Sequence, residues 1–341
     1  MKKRISYVIY CILVVVPLLE GLLWLTGYRP YRYQKFSIVS EPSQSLSAHS
    51  TLGLALNPGT FEVIINDQIR YRATHSDSVS RYTYLAGKES YPTLAVFGCS
   101  YTYGMGVNDK ETFSAVLNQL SKQYRVSTYA VPGYGTVQGF MQLQRQVKTG
   151  RKPAIALFNF ADFHLDRNAM SPAYRLHLSI GYKLAISDTE SEMAESNFPY
   201  VSLTGDRLHW HSEQWSQLYT HWQGRETFAL INLLQTISDR YRTASIDKIR
   251  ITTALFRDIR DFCRSHGISL VVAGMTQNES TKTVLQHLEQ IQVNVADISL
   301  PLASAEYNHL PYDSHPNKYA HKRLATGLYN YLCFDKNLVI P

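Results

Sequence analysis

A serine and a closely spaced Asp–His pair are the residues of this chain best suited to chemistry. Ser100 follows the apolar run 94–97 and Gly98, and Asp313 and His315 stand two residues apart near the C-terminus. A serine hydroxyl becomes a nucleophile when a base removes its proton, and a neighbouring carboxylate fixes the tautomer of an imidazole base. Taken singly, the serine fits an ordinary strand–turn–helix connection, and the Asp–His pair fits a helix-capping loop.

The elements around these residues decide between the two interpretations. Apolar strand-like runs at 94–97, 124–131, 154–160, 268–273 and 293–298 alternate with helix-like runs near 110–122, 136–147, 246–265 and 319–331. Strands separated by helices indicate a parallel sheet covered on both faces. Ser100 and Gly133 follow strands of this sheet, and Asp313 and His315 follow the last one. Because ligand sites of open α/β sheets lie at the carboxyl ends of the strands, we expect these residues to meet at one edge.

Glycine at position 133 adds a second function to that edge. It lies in the turn 130–135, directly after a predicted strand. Without a Cβ, its backbone N–H can approach a developing oxyanion closely. We therefore expect Gly133 to contribute to an oxyanion hole.

The chain divides into three parts. Residues 1–27 form an N-terminal segment, residues 28–90 a stalk with a small β decoration turning at Asn66 and Asp67, and residues 91–336 the main α/β domain. The region from about 168 to 245 breaks the strand–helix rhythm and is rich in aromatic residues, including Trp210, Trp215 and Trp222. We interpret this region as an insertion that either covers the site or adds packing.

The N-terminal segment has the pattern of a membrane span. Three basic residues at 2–4 precede the apolar run 5–27, whose one charge is Glu20. Its length suits a bilayer core at about 1.5 Å per residue, and the preceding charge favours a cytoplasmic N-terminus. The sequence thus predicts membrane anchoring through an N-terminal transmembrane helix and a main domain outside the cytoplasm, in the periplasm or at the cell surface. A cleaved signal peptide is the alternative.

Composition limits the other classes of function. The net charge is +7 with a pI near 9.1, but Lys and Arg are scattered. The basic aromatic block 28–33 adjoins the predicted membrane span, so lipid head groups are expected there and nucleic acid is not. Four cysteines in 341 residues do not form a disulfide framework. No zinc-binding spacing occurs, and we expect neither a metal nor an organic cofactor.

Three short motifs together resemble those of the SGNH (GDSL-type) hydrolases. Gly98-Cys99-Ser100, followed by Thr102 and Gly104, is similar to block I, with Cys99 where Asp is usual. The turn 130–135 resembles block II, and the stretch 313–317 resembles the last block. The resemblance covers about 93–165 and 246–335. It implies a parallel-sheet three-layer α/β/α sandwich of the SGNH, flavodoxin-like kind.

The resemblance also implies roles for the residues. Ser100 would be the nucleophile, His315 the general base and Asp313 the residue that orients the base. The backbone N–H groups of Ser100 and Gly133 would form the oxyanion hole. Cys99 is not the expected nucleophile, because the alternation of side chains along a strand turns it away from Ser100.

Block III departs from the pattern of that family. Where an Asn usually donates to the oxyanion, this chain has Ala161, within the stretch 159–162. Asn159 and His164 are the candidates for a replacement donor. Loss of one such donor typically lowers the rate by about 10²–10³, so either a substitute exists or the activity is slow.

The resemblance therefore predicts an ester hydrolase that removes O-acyl groups, such as acetyl, from a carbohydrate or envelope glycan. One alternative is an O-acyltransferase that modifies an exopolysaccharide, with a sugar hydroxyl in place of water as the acceptor. A second alternative, motivated by Ala161, is a catalytically silent glycan-binding domain. The oligomeric state is left open by the sequence.

Overall fold

The computed structural model describes residues 2–33, 37–77, 79–83, 87–185, 193 and 196–334. The N-terminal part contains one helix and a set of antiparallel strands. These elements are α1 (Lys2–Leu25), β1 (Ile38–Glu41), β2 (Leu46–His49), β3 (Gly53–Leu56), β4 (Gly59–Ile65) and β5 (Ile69–His75). Strands β1, β4 and β5 form one small sheet, and β2 and β3 pair separately. The predicted turn at Asn66 and Asp67 connects β4 to β5, and both residues have positive φ.

Strands and helices alternate from residue 93. In the first half they are β6 (Thr93–Gly98), α2 (Ser100–Tyr103), α3 (Phe113–Leu120), β7 (Arg125–Ala130), α4 (Thr136–Lys148), β8 (Ile155–Phe160) and α5 (His164–Asn168). After these come α6 (Pro172–Ala185), β9 (Asn197–Thr204), β10 (Arg207–Gln214), α7 (Ala229–Ala244), α8 (Lys248–Ser265), β11 (Ser269–Thr276), α9 (Glu279–Gln290), β12 (Asn294–Leu300), β13 (Asn308–His309), β14 (Asp313–Pro316) and α10 (Lys318–Phe334).

The central sheet has the strand order β7-β6-β8-β11-β12, and every neighbouring pair is parallel. In chain order this is 2-1-3-4-5, the flavodoxin-like order, whose switch point lies between the first and third strands. Here those strands are β6 and β8. Ser100 follows β6 directly, so the topology places it at the switch point, where crossovers leave the sheet in opposite directions.

Side chains of the central strands alternate between two cores. Leu94 and Val96 of β6 lie in one core with residues of α3 and α10. Ala95 and Phe97 lie in the other core with residues of α4, α8 and α9. Both faces of the sheet are therefore covered by helices, which confirms the predicted three-layer α/β/α sandwich. Helix α9 was not predicted from the sequence, although its apolar residues complete the second core.

The aromatic-rich region contains a β-hairpin that the sequence analysis did not predict. Strands β9 and β10 pair antiparallel between α6 and α7. Trp215 packs against the core, whereas Trp210 and Trp222 are 44% and 47% exposed. The hairpin escapes a pattern-based prediction because β10 is exposed along most of its length and lacks a regular apolar alternation.

A carboxylate of helix α1 caps the N-terminus of α7. The Glu20 carboxylate accepts hydrogen bonds from the backbone N–H groups of Ala229 (2.7 Å) and Leu230 (2.8 Å), at the first turn of α7. It also accepts from Trp24 Nε1 at 2.9 Å. An acidic side chain at a helix N-terminus satisfies unpaired amides and complements the helix dipole.

Of the helices in the described residues, none combines the length and the apolar character needed to cross a membrane. The transmembrane helix that the sequence analysis predicted over residues 5–27 is therefore not supported.

The small N-terminal sheet is joined to the main domain by a buried histidine. His75, at the end of β5, hydrogen-bonds the Asn57 carbonyl through Nδ1 (2.8 Å) and the Tyr103 hydroxyl through Nε2 (2.7 Å). A carbonyl only accepts, so Nδ1 carries the proton and Nε2 accepts from Tyr103. His75 thus connects β5 to α2, the helix that begins with Ser100.

Acidification is expected to destabilise the fold through His75. Burial is the main cause that lowers its pKa from 6.5 to about 4. Between these values the unfolded chain binds the proton and the native chain does not. The contribution of neutral His75 to the free energy of unfolding is therefore complete above pH 6.5 and is lost as the pH falls towards 4. The loss amounts to about 3 kcal/mol, measurable by urea unfolding at pH 7 and pH 4. In the variant His75→Gln the free energy of unfolding should depend less on pH. An unchanged pH dependence would contradict the role given to His75.

Candidate active site

Ser100 is placed by a tight strand-to-helix turn. A Cβ on Gly98 would lie 2.2 Å from Thr102 Oγ1, so the close return of the chain requires glycine there. Cys99 is extended, and Ser100 starts the four-residue helix α2, which ends at Gly104 with φ +86°. Ser100 is 5% exposed. As the first residue of a helix, its backbone N–H has no intrahelical acceptor, and none occurs elsewhere among the described residues.

Cys99 offers no alternative nucleophile in this environment. Its side chain is completely buried. Burial raises the pKa of the thiol above its usual value, because the charged thiolate is disfavoured away from water. A neutral, enclosed thiol is a poor nucleophile.

The turn that contains Gly133 is held by its carbonyl groups. Gly133 has φ +86°, a conformation that favours glycine. The Tyr174 hydroxyl donates to the Gly133 carbonyl (2.7 Å), and Arg167 Nη1 donates to the Tyr134 carbonyl (2.6 Å). The N–H of Gly133 has no acceptor in the described part of the chain. The turn is therefore fixed while its amide is left available.

Asp313 and His315 form the expected carboxylate–imidazole pair. His315 Nδ1 lies 2.9 Å from Asp313 Oδ1 and 2.8 Å from Oδ2. An ionised carboxylate only accepts, so Nδ1 carries the proton and Nε2 is left to act as a base. Burial acts to raise the pKa of Asp313, but the hydrogen bond and charge of His315 outweigh it, and the pKa lies below its usual value.

The pair lies in a short strand and not in the loop that the sequence analysis expected. Strand β14 pairs antiparallel with β13. Asn317 follows β14 and caps α10, since its Oδ1 accepts from the N–H groups of Tyr319 (3.0 Å) and Ala320 (3.1 Å). Its Nδ2 donates to the Asn308 carbonyl at 3.0 Å. The last motif therefore both caps a helix and positions the histidine.

Contacts between the two motifs bring the serine and the histidine to one edge of the sheet. The ring of Tyr101, next to Ser100, meets the His315 ring edge-on with centroids 5.6 Å apart. Gly106 has φ +89°, and a Cβ there would lie 2.8 Å from His309 Nε2 in β13. The structure thus brings α2 against the hairpin that carries Asp313 and His315. Gly133 lies at the end of β7, the neighbour of β6.

The N-terminal sheet also supports this edge, which the sequence analysis missed. Asn66 Nδ2, in the β4–β5 turn, donates to the Tyr312 carbonyl (2.9 Å), directly before Asp313. Arg81 is 2% exposed and uses every one of its N–H groups. Its acceptors, at 2.7–2.9 Å, are the Asp109 carboxylate and the carbonyls of Arg72, Tyr103, Gly104 and Val107. No local motif marks Arg81, because its acceptors come from distant turns.

Comparisons with known proteins give structural likenesses of low identity. No protein-family model and no curated protein matches the chain. A GDSL-family lipolytic protein from Desulfitobacterium hafniense shares 11% identity, with TM-score 0.37 over 70% of this chain and 98% of that one. The esterase EstA of Pseudoalteromonas shares 10%, with TM-score 0.37 over 71% and 97%. A carbohydrate esterase shares 12%, with TM-score 0.39 over 91% and 94%.

The chain resembles GDSL-type lipolytic proteins and esterases of known structure. At this level of identity, the assignment of an activity depends on this chain's own side chains.

Asn159 and His164, the two candidates for a replacement oxyanion donor in block III, make other contacts. Asn159 Nδ2 donates to Thr102 Oγ1 (3.1 Å), two residues beyond Ser100 on α2. Side chains two apart on a helix do not share a face, so Asn159 supports α2 from another side. His164 is 1% exposed and packs between Phe160 and Phe163. Burial lowers its pKa well below the usual value, so the ring is neutral.

A metal site does not emerge from the same residues. Within the described ranges, no three His, Cys, Asp or Glu side chains are grouped so as to hold a metal ion. This edge contains a serine, an oriented imidazole and two backbone N–H groups that have no acceptor in the part of the chain that the structure describes.

Proposed function

We propose that this chain is a serine ester hydrolase of the GDSL type. The observation that carries the proposal is the Asp313–His315 pair, packed through Tyr101 against the helix that Ser100 begins. The free amides of Ser100 and Gly133 add an oxyanion hole. Together these groups supply a nucleophile, a base and charge stabilisation, the three requirements of acyl transfer through a covalent intermediate.

In this mechanism Ser100 Oγ attacks the ester carbonyl while His315 Nε2 takes the hydroxyl proton. The negative charge that develops on the carbonyl oxygen is stabilised by the N–H groups of Ser100 and Gly133. Asp313 stabilises the imidazolium that forms. Collapse of the intermediate breaks the ester C–O bond, and the alcohol leaves with the proton from His315. Water then attacks the acyl-enzyme with His315 again as base, which releases the acid and restores Ser100.

For the substrate, we propose an O-acylated, in particular O-acetylated, carbohydrate. The half-exposed indoles of Trp210 and Trp222 supply apolar faces of the kind on which sugar rings stack. The O-acyltransferase alternative uses the same acyl-enzyme, with a sugar hydroxyl in place of water. The silent glycan-binding alternative follows from Ala161, which lacks the usual donor.

Active-site labelling tests the nucleophile. We expect a fluorophosphonate probe to label the wild type and to leave Ser100→Ala and His315→Ala unlabelled. Product analysis then separates the alternatives: a hydrolase converts p-nitrophenyl acetate to acetate with or without added oligosaccharide, whereas a transferase acetylates the oligosaccharide. An unlabelled wild type without ester turnover would favour the silent binding domain.

Loss of the Tyr174 hydroxyl is expected to slow turnover moderately. Tyr174→Phe removes the donor to the Gly133 carbonyl and leaves the ring in place. One neutral hydrogen bond has a net value of about 0.5–1.5 kcal/mol, so kcat should fall about three- to tenfold because the oxyanion amide is less well fixed. Steady-state kinetics with p-nitrophenyl acetate measures this. An unchanged kcat would show that the turn keeps its position without Tyr174.

A location outside the cytoplasm stays a proposal. It depends on the basic residues 2–4 and the apolar run that follows, a pattern typical of export signals. A fusion of residues 1–90 to alkaline phosphatase, which is active only after export, tests it, and an inactive but stable fusion would contradict it.

A further inference from the structure

Arg167 is a half-buried cation whose guanidinium is only partly used in hydrogen bonds. Its Nη1 donates to the Tyr134 carbonyl, and its guanidinium carbon lies 4.4 Å from the centroid of the Phe163 ring and 5.6 Å from that of Tyr174. Among the described residues it has no carboxylate partner. Its remaining N–H groups make no hydrogen bond there, and they are not among the enclosed polar atoms, so solvent reaches them.

Two other arginines withdrawn from solvent pair with carboxylates, and a third, buried Arg225, donates to the Asn232 and Tyr219 side chains. Arg81 pairs with Asp109, and Arg175 pairs with Glu213. A guanidinium that is partly withdrawn from bulk water and has no carboxylate partner has lost part of its solvation, which an anion can restore. Two rings and a carbonyl hold Arg167 in one orientation, so little entropy remains to be lost when it binds an anion.

The position of Arg167 relates it to the candidate active site. One ring, that of Phe163, separates it from Tyr101, since the Phe163 and Tyr101 centroids are 5.0 Å apart. It also lies over the turn 133–135, where a Cβ on Gly135 would be 3.0 Å from Arg167 Cβ. Burial first, and then the positive charge of Arg167, lower the pKa of His177. Arg167 therefore lies beside the space between the motif of Ser100 and the motif of Asp313 and His315.

We propose that Arg167 binds a carboxylate of the substrate, so that the glycan recognised at this site is acidic, with uronate residues near the acylated hydroxyl. A planar guanidinium with free N–H groups matches a carboxylate in a bidentate arrangement. The net charge of +7 acts in the same direction, because it attracts an acidic polymer. This inference rests on the proposed function for its link to ester cleavage, although binding can be measured without turnover.

The first test is calorimetric binding of deacetylated oligogalacturonate, with neutral xylo-oligosaccharide of equal length for comparison. We expect the wild type to prefer the acidic oligosaccharide and to lose this preference at high salt. Arg167→Gln should weaken acidic binding about 10–100-fold, in line with hydrogen bonds to charged groups. Arg167→Lys, which keeps the charge and loses the fork, should lie in between. Arg207→Gln removes an exposed arginine of β10 and serves as the matched control.

The second test compares kcat/KM for acetylated oligogalacturonate and acetylated xylo-oligosaccharide. We expect the acidic-to-neutral ratio to fall about 10–100-fold in Arg167→Gln, mainly through KM, and to be unchanged in Arg207→Gln. Equal losses on both substrates, or a wild type that does not prefer the acidic ligand in calorimetry, would overturn the role of Arg167. Absence of any ester cleavage together with retained acidic binding would instead contradict the proposed function alone.

Discussion

Ser100→Ala is expected to lower kcat for p-nitrophenyl acetate hydrolysis by about 10⁶, the scale found when the nucleophile of a serine triad is removed. The reason is that both halves of the reaction pass through the bond from Ser100 Oγ to the acyl carbon. The residual rate would come from binding and from the amides of Ser100 and Gly133, because a backbone N–H survives the substitution. Stopped assays with the folded variant at high concentration measure such a decrease.

The same series distinguishes the roles of the partners. His315→Ala should cost about as much as Ser100→Ala, and the double variant little more, because residues that act as a unit are not additive. Asp313→Asn should cost about 10⁴, since the amide no longer fixes the tautomer of His315. Additive losses across the series would contradict a triad.

Cys99→Ala is the matched control, because the substitution lies one residue away and also removes one heavy atom. The Cys99 side chain is completely buried and closed to substrate, so activity should stay within a few-fold of the wild type. The reverse result, an active Ser100→Ala and an inactive Cys99→Ala, would identify the thiol as the nucleophile.

Arg81→Met is expected to destabilise the protein by about 3–5 kcal/mol, the usual cost of breaking a buried ion pair from one side. Methionine fills much of the volume but removes the charge that pairs with Asp109, which keeps the Thr74 N–H, and it removes the guanidinium donors to the buried carbonyls. Three of those carbonyls, of Tyr103, Gly104 and Val107, belong to the helix and turn that follow Ser100, so loss of activity should accompany the loss of stability. Urea unfolding at neutral pH, with activity measured on the folded fraction, tests both effects.

Arg70→Met on strand β5 provides a control of the same chemistry. Arg70 pairs with Glu62 at 3.0 Å, but both side chains are more than half exposed. Pairs of this kind are worth up to about 1 kcal/mol. Comparable losses in the Arg70 and Arg81 variants would show that a general charge effect, and not the buried network, stabilises the turn.

Local patterns in the sequence were sufficient for the parallel sheet. Strand β6 is recognisable because four consecutive apolar residues between turn formers suit a strand buried on both faces. The strand–helix alternation then implies the layers. Helix α9 was missed because its apolar residues are limited to Val284, Leu285 and Leu288. Strand β14 was missed because a four-residue strand paired with a two-residue partner leaves no periodic signal.

The candidate site was predictable where its chemistry is local. The residues Ser100, Gly133, Asp313 and His315 lie in short motifs, and the residue types in these motifs indicate the chemistry. Arg81 and Arg167 could not be found in this way, because the role of an arginine depends on the acceptors and rings that the fold places around it. The contacts of Asn159 and His164 likewise depend on the packing of β8 and α5 against other elements.

The buried network of Arg81 also bears on where the functional unit begins. Residues 28–90 have the composition of a stalk, yet Arg81 and His75 reach into the turn and helix that follow Ser100. A chain shortened to begin at residue 91 would keep every residue of the proposed triad. It would lose the hydrogen bonds of Arg81 and His75 that hold the helix and turn after Ser100. We therefore expect the smallest active fragment to start ahead of β4, so that the strands before the central sheet are part of the proposed catalytic unit.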